Sequence, residues 1–391
     1  MSKIGILSMQ RIINYGSFLQ AYALRSLLEG MGHEVQFVDY RPGPPLIREP
    51  ERRISGPPAG KHLTPGPLAA PAGRIRKALN VLRCDAPLQQ KFQYIQYKKG
   101  FPAKYHPALG IGPEPNYSPR LDVLVIGSDE VFNCIQQNPN VGYSPELFGA
   151  GHHADKLISF SASFGDTTLD ALEKHGKSGE ISTLLKQFDA LSVRDRNSLH
   201  MVESLSGRTA QYHADPVLIY DFSRNIRPGF RPDSAGKYLL LYAYSGRITP
   251  RESEWILEYA RKKDLKIYAI GGVHSCADRF IDCSPFELLS WFAGAEEVIT
   301  DTFHGTIFSM ITRKDFVSLI RPSTGGSYGN EEKLTDLLER FRLLDRGVFS
   351  VEDAERVLSR PADHDRTERL MREERLRAVE YLAHETGGTA L

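Results

Sequence analysis

Four short stretches of the 391-residue chain carry polar side chains of the types and spacing that acid–base and anion chemistry require. The most informative is Val298-Ile299-Thr300-Asp301-Thr302-Phe303-His304-Gly305-Thr306, where a β run ends at Asp301 or Thr302 and a helix is expected to open with Thr302 as N-cap. His304 then falls in the first turn. The helix dipole there opposes a protonated imidazole unless an anion sits close by, so this ring suits a proton carrier that works beside an anionic partner. A histidine bonded to a backbone carbonyl in an interdomain cleft is the plainer reading of the same position. In Leu191-Ser192-Val193-Arg194-Asp195-Arg196, Arg194 ends a strand with a planar fork that matches carboxylate or phosphate. A surface ion pair of Asp195 with Arg194 or Arg196 competes with that role.

Two further junctions are polar. Asn14-Tyr15-Gly16-Ser17 offers backbone N–H groups beside a flexible glycine, enough to dock an anion or a sugar hydroxyl, or only to cap a helix. Gly127-Ser128-Asp129-Glu130-Val131-Phe132-Asn133 presents a hydroxyl, carboxylates and an amide, a set suited to polyols, and equally to a capped helix start. Asp215-Pro216 and residues 327–333, with Lys333, are lesser cleft candidates for which a structural role is the ordinary expectation.

Positioning these residues requires a particular architecture. Short β-rich runs alternate with helical patterns along most of the chain, the signature of parallel strands joined by crossover helices, so the class is α/β. Residues 4–8 read as the first strand, 17–30 as a helix with Leu19, Tyr22, Ala23, Ser26 and Leu27 at helical spacing, and 34–40 as the next strand. Strands are expected again at 121–126, 157–162 and 190–193. Past a hinge near 215–232 they resume at 238–242, 265–270, 297–300 and 316–320. The expected domains are 1–220, 221–360 and a charged helix, within 361–391, carrying Leu376, Val379, Leu382 and Ala383 on one face. In such sheets ligands gather beyond the carboxyl ends of the strands, which is where the four motifs fall.

Composition narrows the function. Lys plus Arg number 49 against 48 Asp plus Glu, so the chain lacks the field with which nucleic-acid binders collect phosphates, and no nucleic-acid partner is expected. No apolar run approaches the ~18–20 residues of a membrane span. The start, Met1 to Leu7, enters a short β run without a leader pattern, so a cytoplasmic protein is expected. Four cysteines at spacings that fit no zinc pattern read as free thiols. An irregular insertion at about 41–75 holds nine prolines by Pro71 and scattered basic residues. A solvated loop is its ordinary reading, and peripheral contact with the inner face of a membrane is the alternative. Gly-x-Gly-x-x-Gly, Walker and His-Glu-x-x-His patterns are all missing from the sequence, which takes weight from nicotinamide, P-loop and zinc-protease chemistries.

In order and content the four motifs resemble the polysaccharide pyruvyltransferase family, over about residues 3–346. The resemblance implies two Rossmann-like domains facing a cleft, as in type-B glycosyltransferases, with a C-terminal helix returning to the first domain. It implies transfer of the enolpyruvyl unit of phosphoenolpyruvate, a co-substrate, onto two hydroxyls of a sugar or lipid-linked oligosaccharide, with no metal or redox cofactor. His304 would then be the acid and Arg194 the anion holder, with Asn14, Tyr15, Gly16, Ser128, Asp129, Asn133, Asp301 and Thr302 in substrate contact. Many members carry Arg where this chain has Thr302, so a second cation must come from elsewhere, Lys333 or Arg321 being expected. Glu130 and Phe132 also replace the Gln and Trp common in the branch that reads Asp-Ser-Phe-His-Gly. A nucleotide-sugar glycosyltransferase and a non-catalytic glycan-binding or scaffold relative are the alternatives.

Overall fold

The computed structural model describes residues 1–47, 81–82, 84–117, 119–136, 138, 140–227, 229–230, 236–322 and 329–389. Most of the proline-rich insertion lies outside the described residues. The strands form two six-stranded, all-parallel sheets. The first runs β2-β1-β3-β4-β5-β6, from β1 (Lys3–Leu7), β2 (Glu34–Phe37), β3 (Arg120–Asp129), β4 (His153–Ala162), β5 (Ser192–Val193) and β6 (Gln211–Tyr212). The second runs β12-β11-β10-β7-β8-β9, from β7 (Tyr238–Tyr242), β8 (Lys266–Ile270), β9 (Arg279–Phe280), β10 (Glu297–Thr300), β11 (Phe316–Leu319) and β12 (Gly347–Val348). Helices cover both faces, so the central strands are buried along most of their length; β7 reads Tyr-Leu-Leu-Leu-Tyr and is buried throughout. These are two Rossmann-like domains.

The helices are α1 (Tyr15–Gly30), α2 (Leu88–Tyr105), α3 (Leu169–Lys174), α4 (Ser178–Leu185), α5 (Arg196–Ser206) and α6 (Pro216–Ile219), then α7 (Pro250–Lys262), α8 (Pro285–Gly294), α9 (Phe303–Ile311), α10 (Glu331–Arg340), α11 (Ala354–Leu358) and α12 (His364–Thr386). One junction departs from expectation: β3 leads into turns after Asp129, not into a helix, and Asp129 itself takes φ 78°.

What fixes the two sheets relative to each other is aromatic packing. A single apolar cluster continues from α1 and α2 into α8 and α9. Phe18 and Tyr22 of α1 meet Phe286 of α8 edge-on, with centroids 5.8 and 4.8 Å apart, and Tyr94 and Tyr97 of α2 meet Phe280 of β9. Each such pair contributes about 0.5–1.5 kcal/mol beyond the area it buries. Gln90 Nε2 adds a hydrogen bond to the Ala277 carbonyl and the Tyr15 hydroxyl one to that of Cys283.

Helix α12 lies against the first sheet: the Tyr381 hydroxyl donates to the Ser159 carbonyl, Lys156 pairs with Glu385 at 2.7 Å and Thr386 meets His33. Its buried face is Ala378, Val379, Tyr381 and Leu382, with Glu374 held by Arg340 of α10. Leu376, expected on that face, is instead 71% exposed. The face is set by docking between Tyr381's shelf and Arg340, which turns Leu376 outward.

The shelf under Tyr381 is the His213 ring, 4.8 Å away, with Nδ1 at 2.8 Å from the Ser192 hydroxyl. Burial, then Arg340 and Arg377, push His213 down to about 4. The folded chain thus keeps this ring neutral while the unfolded chain protonates it near the ordinary value, so the stability it contributes is complete above about pH 6.5 and is lost as pH falls toward 4. In urea unfolding at pH 7 and pH 5, His213→Gln is expected to lose about 1–2 kcal/mol less over that interval than the parent chain; equal losses would contradict a neutral buried ring.

Candidate functional site

The carboxyl ends of the two sheets face each other, and the polar residues gather there. Asp215, the N-cap of α6, stands at the centre with its carboxylate wholly buried. Arg194 Nη1 donates to its Oδ2 at 2.7 Å, and His304 Nε2 lies 3.6 Å from the same oxygen. Arg194 comes from the loop after β5 and His304 from the first turn of α9, so the guanidinium and imidazole of opposite domains converge on one carboxylate. The second Arg194 contact is Nη2 to Asp129 Oδ1 at 3.2 Å; the Phe303 ring packs 4.6 Å from its central carbon.

These charges hold each other. Burial works against the Arg194 charge, but Asp129 and Asp215, ahead of Glu130 and Asp195, raise its hold on the proton above the usual guanidinium range. Burial would push the Asp215 carboxyl up, and His304, Arg194 and the Val217 amide more than offset it, leaving it below the carboxylate range. Arg194 balances one of its two carboxylates, so a proton on His304 would meet an unspent negative charge at 3.6 Å.

His304 is 7% exposed, and its Nε2 has no hydrogen-bond partner among the described residues. Its place is set by three local features. Thr302 caps α9 as expected, accepting from the Gly305 amide at 2.9 Å, and its own hydroxyl is thereby engaged. Phe303 and Phe308 flank the ring. On its remaining side lies Gly16: a Cβ there would stand 2.2 Å from His304 Nδ1, so only glycine admits the ring.

The other expected residues divide. Asn14 Oδ1 caps α1 through the Gly16 amide, and its Nδ2 donates to the Tyr244 hydroxyl across the interface at 2.6 Å. Asp129 accepts from Ser17 as well as Arg194. Asn133 braces Glu130 at 3.0 Å, and Glu130 pairs across the domains with Lys333 at 2.9 Å. Beside them burial raises the Asp166 carboxyl to about 6, with Lys333 opposing. Tyr15 and Ser128 are turned into protein, the first bonded to Cys283 and stacked on Tyr97, the second fully buried and donating to the Ser161 carbonyl. Arg194, expected to grip a bound anion, has its terminal nitrogens on the carboxylates of Asp215 and Asp129. Arg321 is engaged by both oxygens of Glu252, and Lys333 by Glu130.

Besides Asp166 and Tyr244, two more residues outside the expected set complete the cleft. Ser17 ties α1 to Asp129, and Arg247, in the loop after β7, lies over the Tyr244 ring. Nothing in the local sequence around Arg247 marks it; only the fold brings that loop beside Asp301.

Comparison with known proteins decides the lineage: residues 14–323 match the model of the polysaccharide pyruvyl transferase family. The chain belongs to that family. No curated protein matches it. Among solved structures it is similar to a Listeria monocytogenes protein described as a UDP-N-acetylglucosamine 2-epimerase, at TM-score 0.51 and 10% identity, covering 99% of this chain and 98% of that one. It is likewise similar to S. aureus MnaA in a co-structure with UDP, at TM-score 0.50 and 11% identity, covering 99% and 97%. At such identities the likeness is one of fold alone. For the family member in hand, Gly16→Ala is expected to leave the far-UV circular dichroism spectrum unchanged while cutting turnover at least tenfold through displacement of His304; full turnover would show that the ring's position is not what matters.

Proposed function

We propose that this family member transfers the enolpyruvyl unit of phosphoenolpyruvate to two hydroxyls of one sugar, forming a cyclic pyruvate ketal and releasing phosphate during surface-polysaccharide assembly. The observation that carries the reading is the meeting of His304 with Asp215 at the domain interface, inside the segment matched by the family model. An acid whose counter-charge is held by a buried arginine is what protonation of an enol phosphate needs.

In this reading His304 Nε2 gives its proton to the donor's methylene carbon, and the positive charge that develops at the neighbouring carbon is met by a sugar hydroxyl. That hydroxyl's proton returns to His304. The bond to phosphate then breaks, the second hydroxyl closes the ring, and its proton leaves with phosphate or solvent. Asp215 keeps the imidazole aimed and offsets its charge, and Arg194 keeps Asp215 ionised. Asn14, Glu130, Asp166 and Lys333 border the same cleft and suit the acceptor's hydroxyls. Among the described residues no helix is long and apolar enough to cross a membrane, and we assign the reaction to the cytosol.

The test is phosphate release from phosphoenolpyruvate against a panel of nucleotide-linked and lipid-linked sugars, with UDP-sugars offered as alternative donors. Turnover with phosphoenolpyruvate is expected, and His304→Ala should lower it at least 10²-fold while donor affinity changes by less than threefold. Transfer from a UDP-sugar in its place, or an undiminished His304→Ala enzyme, would overturn the reading.

A further inference from the structure

Below the imidazole, the same motif holds a second carboxylate that the reaction as drawn leaves unused. Asp301 directly follows β10, its side chain is 0% exposed, and neither carboxylate oxygen has a hydrogen bond of good geometry among the described residues, although the Tyr244 backbone N–H is directed at the carboxylate. A buried carboxylate without such a bond is costly and calls for an account. The charged groups around it are Arg247, Arg321 and Glu252, with the Tyr244 phenol above. Arg321 gives both terminal nitrogens to Glu252, keeping only a buried Nε without a hydrogen-bond partner among the described residues. Arg247 is not so engaged: its Nη1 stands 3.6 Å from Asp301 Oδ2, outside hydrogen-bond range, its side chain is 29% exposed, and it makes no side-chain hydrogen bond among the described residues.

The geometry therefore supplies a cation where the chain, with Thr302, has none in the motif itself. Arg247 is within one short loop of Tyr244, whose hydroxyl is bonded to Asn14, the cap of the helix start that packs on His304. An anion that draws Arg247 away leaves Asp301 with a second negative charge nearby and only the Glu252-paired Arg321 as counter-charge.

We propose that Arg247 and Asp301 form a proton-coupled anion subsite: Arg247 turns from Asp301 to the carboxylate or phosphate of the donor, and Asp301 takes one proton from solvent as the anion binds. This rests on the proposed reaction for the identity of the donor, and on the structure alone for the subsite. Burial, which already raises the Asp301 carboxyl against the pull of Arg247 and Arg321, acts in the required direction. Charge balances: one anionic group enters, one proton enters, and Arg247 changes partner.

Calorimetry at pH 7.5 in two buffers of different ionisation enthalpy measures the proton count, with phosphoenolpyruvate and, separately, inorganic sulfate as probes; sulfate does not titrate. The parent chain is expected to take up close to one proton per anion more than Asp301→Asn does, and its affinity to fall up to tenfold per pH unit above neutrality, a dependence that Asp301→Asn flattens. Arg247→Gln is expected to bind at least tenfold more weakly, with Arg247→Lys between. Equal proton uptake by the parent and Asp301→Asn, or parental affinity in Arg247→Gln, would overturn the subsite. Sulfate binding with the expected proton uptake, but no phosphoenolpyruvate binding, would leave the subsite standing and remove the proposed donor.

Discussion

Everything in the cleft depends on one buried carboxylate shared by a guanidinium and an imidazole. Asp215 has its carboxylate out of water, and an isolated charge there would be strongly unfavourable. Arg194 makes it tenable from the first domain and His304 approaches it from the second, so the two Rossmann-like halves meet at an electrostatic point as well as across an apolar seam. The aromatic packing of α1 and α2 on β9 and α8 holds that meeting fixed, and the Gly16 and Thr302 details aim the imidazole within it.

The division of labour among the arginines follows from the same constraint. A guanidinium with both ends on protein carboxylates keeps a partner ionised and in place, and it has little left for a ligand. A guanidinium that rests on an aromatic face, with its nearest carboxylate just beyond bonding distance, has its charge in reserve. Arg194 is of the first kind and Arg247 of the second. Polar density at the strand ends thus separates into groups that build the site and groups left to meet what enters it.

Much of the fold was legible because central parallel strands are continuous apolar runs and their crossovers carry caps. β7 and β10 lie where the sequence suggests, and Thr302 caps α9. Two-residue edge strands such as Gln211–Tyr212 and Arg279–Phe280 have no periodicity to read; pairing with a neighbour makes them strands. Leu376 shows the limit for helices, since the buried face of α12 was decided by where Tyr381 and Glu374 dock. Within the site, His304 and Arg194 stand out by motif, whereas the significance of Asp215 lies in partners 21 and 89 residues away along the chain (194 and 304). Arg247 sits in an ordinary loop whose meaning comes from Asp301, just past the end of β10.

The claim that Arg194 and Asp215 act as one buried unit is tested most directly by a double-mutant cycle on unfolding free energy, using Arg194→Met, Asp215→Asn and the pair together. Each single change strands a buried charge and should cost about 3–5 kcal/mol, and the double variant should cost at least about 2 kcal/mol less than their sum. Additivity within about 0.5 kcal/mol would mean that the two charges do not depend on each other, and the account of the site would fail with it.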